Sequence, residues 1–139
     1  MSNIPSEFQF PVTVYYEDTD AGGVVYHSNY LNFFERARTE MLRSKGINQR
    51  ILLEQSTGFV VRHMDIDFIR GARLDDQLTV KTTIGQFKRA SLTFLQEITD
   101  QHDVTIAKAV VKVACVDSSI MKPKAIPTPI LTELKHSDG

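Results

Sequence analysis

The sequence has no tryptophan, only one cysteine and almost no net charge, and each shortage excludes something. A lone Cys115 allows neither an intrachain disulfide nor a cysteine metal cluster, and it suits a reducing cytoplasm. A formal net charge of −1 gives no global pull toward nucleic acid, so an anionic ligand needs a local basic patch. The histidines stand apart at 27, 63, 102 and 136 with no HExxH or comparable pair, so no metal site is expected. Long apolar runs are also missing. Ala109–Val110–Val111 lies between Lys108 and Lys112 and is far too short to cross a bilayer. Met1 to Phe10 has no basic segment followed by an apolar run, so no secretory signal is expected.

What is present fits one globular domain. The chain has 139 residues, 42% apolar and 24% charged, with no internal repeat, low-complexity tract or linker. The domain is expected to fill 1–139, with an ordered core over about 10–130 and loose ends at 1–8 and 132–139. Tyr30, Phe33, Phe34, Ala37 and Met41 recur at helical spacing, joined by Leu31 and Leu42, and predict a helix from about Ser28 to Lys45. Ser28 or Asn29 is placed to cap it, Gly46 to stop it, and Arg36 to pair with Glu40 on its polar side. A short helical turn follows at Asn48–Gln55.

Everything else alternates as strand. Phe10–Tyr16, Gly58–Ile69, Gln77–Phe87, Ala90–Thr99 and Val104–Val116 are the predicted strands. Pro123, Pro127 and Pro129 then argue against further regular structure. Short polar turns imply antiparallel pairing, and one apolar helix beside such a sheet must bury its arc against it. The fold class is α+β, a five-stranded antiparallel sheet wrapped around one long helix.

The chemistry concentrates in the segment Tyr15–Tyr30. Glu17, Asp18 and Asp20 precede the pair Gly22–Gly23 and the helix start. A helix N-terminus offers unpaired N–H groups and the positive end of a dipole, which steady either a capping carboxylate or an oxyanion forming on a substrate carbonyl. Glycine lets backbone and ligand approach closely. Spacing alone favours a solvated capping loop over a catalytic one, because acidic loops before helices are common.

The full segment resembles the signature of the hydroxybenzoyl-CoA thioesterase family of hotdog proteins, in particular its YbgC-like branch of acyl-CoA thioesterases associated with the bacterial Tol–Pal system. Further matching stretches are Phe33–Leu42, Phe59–Val60–Val61–Arg62, Ala72–Arg73–Leu74–Asp75–Asp76 and Met121–Lys122–Pro123, so the resemblance spans roughly residues 10–130. It implies a thioester hydrolase in which Asp20 is nucleophile or general base. It implies an oxyanion donor at the main chain of about His27, with the His27 side chain and Tyr16 lining the site. His27 has two readings: its imidazole polarises the carbonyl or positions water, or it contributes only its N–H and packs. Gly23, Val24 and Tyr26 are the loop's substrate-contacting candidates.

The substrate would be an acyl-CoA or acyl carrier protein thioester. Coenzyme A would enter as part of the substrate, with no separate cofactor or metal. The resemblance also implies a homodimer or homotetramer with active sites at subunit interfaces. Arg62, Lys88 and Arg89 are candidates for holding the CoA phosphates, although at each position alone an ordinary surface role is favoured. Asp18 is expected to hold the loop through backbone N–H groups, and Glu17 to face solvent or pair. Arg38, near the middle of the apolar arc, is expected to pair with Glu35, with a subunit contact as the alternative. Glu35 as a helix-borne catalytic acid looks redundant beside Asp20. His63, His102 and Cys115 read as surface, turn and core. A non-catalytic module binding acyl carriers or proteins, and a hotdog dehydratase, are the rival functions. The residues Tyr16, Tyr26, Tyr30, Phe33 and Phe34 suit either an acyl pocket or the core, and leave the acyl class open.

Overall fold

The computed structural model describes residues 7–135; of the loose ends expected at 1–8 and 132–139, residues 1–6 and 136–139 lie outside these. The alternating segments form β1 (Phe8–Thr13), β2 (Thr57–Phe68), β3 (Gln77–Phe87), β4 (Ser91–Thr99) and β5 (Thr105–Asp117). All pair antiparallel, in the order β1-β3-β4-β5-β2. The first strand ends at Thr13 rather than Tyr16, because Tyr16–Asp18 curl into a 3-10 turn whose Asp18 carboxylate accepts the Tyr15 N–H at 2.8 Å.

The long helix α1 runs Asn29–Ser44 and buries Tyr30, Phe33, Phe34, Ala37, Met41 and Leu42. These side chains share one core with Leu78, Val80, Leu92, Phe94, Ile98 and Val111 from the sheet. The architecture is an α+β hotdog. Gly46, at φ +79°, stops α1 in a Schellman arrangement: Ile47 N–H reaches Leu42 O and Gly46 N–H reaches Arg43 O, both at 3.0 Å. A six-residue helix α2, Gln49–Glu54, follows and is capped by the Asn48 side chain.

Several local expectations are corrected. Ser28 precedes α1 in a helical conformation and makes no side-chain cap, and Leu31 is 39% exposed rather than part of the buried arc. Glu40 pairs with Arg43 at 2.8 Å, one turn on, instead of with Arg36. Arg38 is buried but donates to Gln96 Oε1 at 3.0 Å, while the Glu35 carboxylate is turned to the surface and accepts from Thr39. The proline-rich end is ordered: Lys122–Pro123 forms a sixth, two-residue strand β6 on β5, and Thr128–Lys135 forms helix α3. Pro129 lies in the first turn of α3, where a missing N–H costs nothing, and Ile130 and Leu134 are buried. Residues 132–135 are therefore helix, not a loose end.

α1 lies over β3 and β1, while β2 meets the short helix α2 and keeps part of its apolar side exposed. Val61 and Phe68 pair with the buried Val113 and Ala107, yet are 48% and 49% exposed. β2 is also an edge strand, with a bulge between Val61 and His63.

Candidate active site

The loop between β1 and α1 is held from both sides. Asp18 accepts from Tyr15 N–H with one carboxylate oxygen and from the Asn29 carboxamide with the other, at 2.6 Å. Its carbonyl accepts the Tyr26 N–H at 3.0 Å. Asp18 is thus the structural acid of the cluster, while Glu17 faces solvent. On the far side, Val25 N–H donates to Ala72 O and Leu74 N–H to Gly23 O, at 2.8 and 3.1 Å. The buried Tyr30 hydroxyl accepts the Ala72 N–H at 2.9 Å, and burial raises its pKa. Asn29, expected only as a helix cap, and Ala72, noted only within a matching stretch, are supports of the loop.

Within this frame residues 20–24 form a tight reversal. Asp20 N–H donates to Val24 O, Gly23 N–H donates to Asp20 O, and Gly22 N–H donates to Asp20 Oδ1 at 2.8 Å. Gly23 adopts φ +75°, which a side chain would strain. Asp20 is exposed, and among the described residues its Oδ2 has no donor. The carboxylate is therefore oriented by one bond and open on its other oxygen.

At the helix start the N–H groups of Asn29, Tyr30 and Leu31 are each engaged by the carbonyl three residues earlier. The His27 N–H has no acceptor among the described residues. The His27 ring is exposed, 4.8 Å from Tyr26 and edge-on to Phe68 at 6.0 Å. No hydrogen bond links His27 to Asp20 among the described residues. Tyr16 and Tyr26 are 81% and 53% exposed, whereas Tyr30, Phe33 and Phe34 belong to the core.

One loop thus gathers Tyr16, Asp20, Gly23, Val24, Tyr26 and His27. The basic candidates are elsewhere. Lys88 and Arg89 occupy the β3–β4 turn, where Arg89 O accepts the Ile126 N–H. The loop lies at the Gln77 end of β3, since Val14 exchanges hydrogen bonds with Asp75 and Asp76. The two groups are separated by the length of β3, about 33 Å at 3.3 Å per residue. Arg62 is exposed at the β2 bulge. Of the single residues, His63 is exposed beside Asp65, His102 sits in the β4–β5 turn, and Cys115 is fully buried.

A model of the thioesterase-like superfamily matches residues 14–134. The chain belongs to that superfamily. It is a thioester hydrolase by membership, as the loop signature implied. It is 48% identical over 129 residues to an acyl-CoA thioester hydrolase YbgC of Escherichia coli, covering 93% of this chain and 96% of the relative. It is 51% identical over 130 residues to an acyl-CoA thioesterase YbgC of Haemophilus influenzae, covering 93% and 95% respectively. Among solved structures, a 1,4-dihydroxy-2-naphthoyl-CoA thioesterase from Synechocystis superposes with a TM-score of 0.89 at 26% identity, over 96% of this chain and 99% of that one.

Proposed function

We propose that the protein hydrolyses an acyl-CoA thioester at the loop of residues 20–27, with Asp20 as the reacting carboxylate. The observation that carries this reading is the pairing of an open Asp20 carboxylate with an unengaged His27 N–H on one braced loop. The thioester carbonyl docks with its oxygen on that N–H, which stabilises the charge that develops there. Asp20 then either attacks the carbonyl carbon, expelling thiolate and leaving an anhydride that water cleaves, or takes a proton from the attacking water. Products are the free acid and the thiol. Thioesters are already activated, so the scheme calls on no cofactor, and coenzyme A comes and goes with the substrate. The carrier is coenzyme A or an acyl carrier protein, and the compartment is the cytoplasm, in keeping with the single free thiol.

The working unit in this proposal is a dimer formed through β2. Two observations support it. Among the described residues the β2 edge is unpaired and its apolar side is half exposed, which is a liability for a lone subunit. The loop and the basic turn also lie at opposite ends of one sheet. A two-fold pairing of β2 with a second β2, centred near the Val61–His63 bulge, runs antiparallel. It sets the Phe68 end of one strand, where His27 packs, against the Thr57 end of the other. The Asp20 loop of one copy then lies toward the end of the sheet that carries Lys88 and Arg89 in its partner.

The test is thiol release from a panel of acyl-CoAs, comparing wild type with Asp20→Asn. A fall of about two orders of magnitude or more in a folded variant is expected, equivalent to about 2.7 kcal/mol of barrier. No turnover of any thioester, or an equally active variant, would move a binding-module function ahead.

A further inference from the structure

Arg38 has no role in the hydrolysis described above, and its surroundings are unusual. Only 7% of it is exposed, and no carboxylate lies within ion-pair distance among the described residues. Among the described residues one of its five N–H donors is engaged, by Gln96 Oε1, and no side-chain nitrogen is both buried and unpartnered, so the rest of the guanidinium keeps access to the cavity it lines. Gln96 is itself fixed, since its amide nitrogen donates to Phe34 O and Thr82 Oγ1, both at 3.0 Å. Burial lowers the Arg38 pKa, and the charge of Glu35 only partly opposes this. A cation taken out of water in this way is costly unless something anionic meets it.

What it meets is space. Arg38 lines a cavity of about 120 Å³ between α1 and the sheet, with Leu42, Phe59 and Phe94 among its apolar walls and Glu35, Thr39 and Gln49 on its polar side. A cavity of roughly 150 Å³ holds a benzene ring, so this one takes about five heavy atoms. The occupant it suits has an apolar body and a terminal group that accepts two hydrogen bonds from a guanidinium fork.

We propose that this cavity receives the distal end of an acyl group bearing a terminal carboxylate, with Arg38 as the residue that selects it. The substrate class is the short dicarboxylic monothioester, of about succinyl size. The inference rests on the thioesterase reading and its β2-paired dimer, because Phe59 and Val61 on the cavity wall sit at the β2 end that the partner's Asp20 loop approaches. A carboxylate tail brings a counter-ion to the accessible guanidinium edge, whereas a neutral tail of equal shape displaces water from that edge and leaves it unpaired. The exposed Glu35 at the rim is screened by water and held by Thr39, so it opposes such a tail only weakly.

The experiment compares kcat/KM for succinyl-CoA, corrected for its spontaneous hydrolysis, with that for the isosteric neutral 4-methylpentanoyl-CoA. The wild type should favour succinyl-CoA at least tenfold. Arg38→Met should bring the ratio below one, and Arg38→Lys should leave it between the two. A wild-type ratio at or below one would overturn the proposal without any variant being made. So would equal losses on both substrates in Arg38→Met, or a drop of that variant to a monomer in sedimentation, which would make Arg38 a subunit contact. Asp20-dependent hydrolysis of 4-methylpentanoyl-CoA with no succinyl preference would sink this inference and leave the thioesterase reading standing. Absence of all turnover would remove both.

Discussion

The Asn29 carboxamide donates to Asp18 Oδ1 at 2.6 Å, joining the first residue of α1 to the acidic loop eleven residues earlier. With the Tyr15 N–H on its other oxygen, Asp18 keeps the loop closed while Asp20 stays open. A hydrogen bond to a charged group contributes about 1.5–3 kcal/mol. Asn29→Ala should therefore lower the melting temperature and reduce kcat/KM, because the Asp20 reversal loses its anchor. Asn29→Asp should be worse than alanine in both assays, since it sets a second negative charge against Asp18. An Asn29→Asp protein as stable as wild type would show that the contact does not brace the loop.

Gly23 and Gly22 make a paired control. An added Cβ at Gly22 meets Asp20 Oδ1 at 3.4 Å, an ordinary contact, while Gly23 holds a left-handed φ. Gly23→Ala should cost about 1 kcal/mol or more of stability, and Gly22→Ala distinctly less. Chemical denaturation of the two variants side by side reads the difference.

At His27 the main-chain N–H is assigned the work on the carbonyl, and His27→Ala retains that N–H. The variant should lose less than about tenfold in kcat/KM. A folded variant slowed by a hundredfold or more would instead put the imidazole into the proton transfers.

Asp100 folds the β4–β5 turn by accepting from the His102 and Val104 N–H groups at 2.8 and 3.0 Å, with Asp103 at φ +61° beside it. The Val104 hydrogen bond is the main cause that holds its carboxyl below the ordinary range. A depressed pKa means the folded state favours the ionised form, so its stabilisation is present above about pH 4 and fades as the carboxyl protonates on further acidification. The stability gap between wild type and Asp100→Ala should be widest near neutral pH and narrow steadily below about pH 4. Thermal melts across pH 2–7 would follow it, and a gap unchanged by pH would refute the link.

The parts of this molecule that repeat were legible in the residues. Tyr30, Phe33, Phe34, Ala37 and Met41 define α1 because a buried helix face leaves a periodic trace, and the strands show themselves by alternation. Boundaries and partners were not. Arg38 finds Gln96 and Glu40 finds Arg43 because rotamers and burial choose among several acids and amides within reach. Gln96 is 58 positions from Arg38, and local spacing carries no record of that contact. Pro127 and Pro129 were read as breakers, yet proline at a helix start is benign, and only the packing of Ile130 and Leu134 identifies α3. In the loop, the family resemblance rather than spacing pointed to Asp20 and His27, and that the His27 and Ser28 N–H groups lack acceptors among the described residues is visible only in the structure.

The separation of the Asp20 loop from the Arg38 cavity along the sheet has a genetic consequence. If each site is assembled from the loop of one chain and the cavity of the other, Asp20→Asn and Arg38→Met damage different halves of it. Unfolded together and refolded as a mixture, two such defective proteins would yield mixed dimers with one wholly intact site and one doubly damaged. On the dicarboxylic substrate, random assortment would then restore roughly one quarter of wild-type activity from two nearly inactive parents. Two alleles of that kind would complement each other in a cell for the dicarboxylic substrate, although neither alone turns it over well.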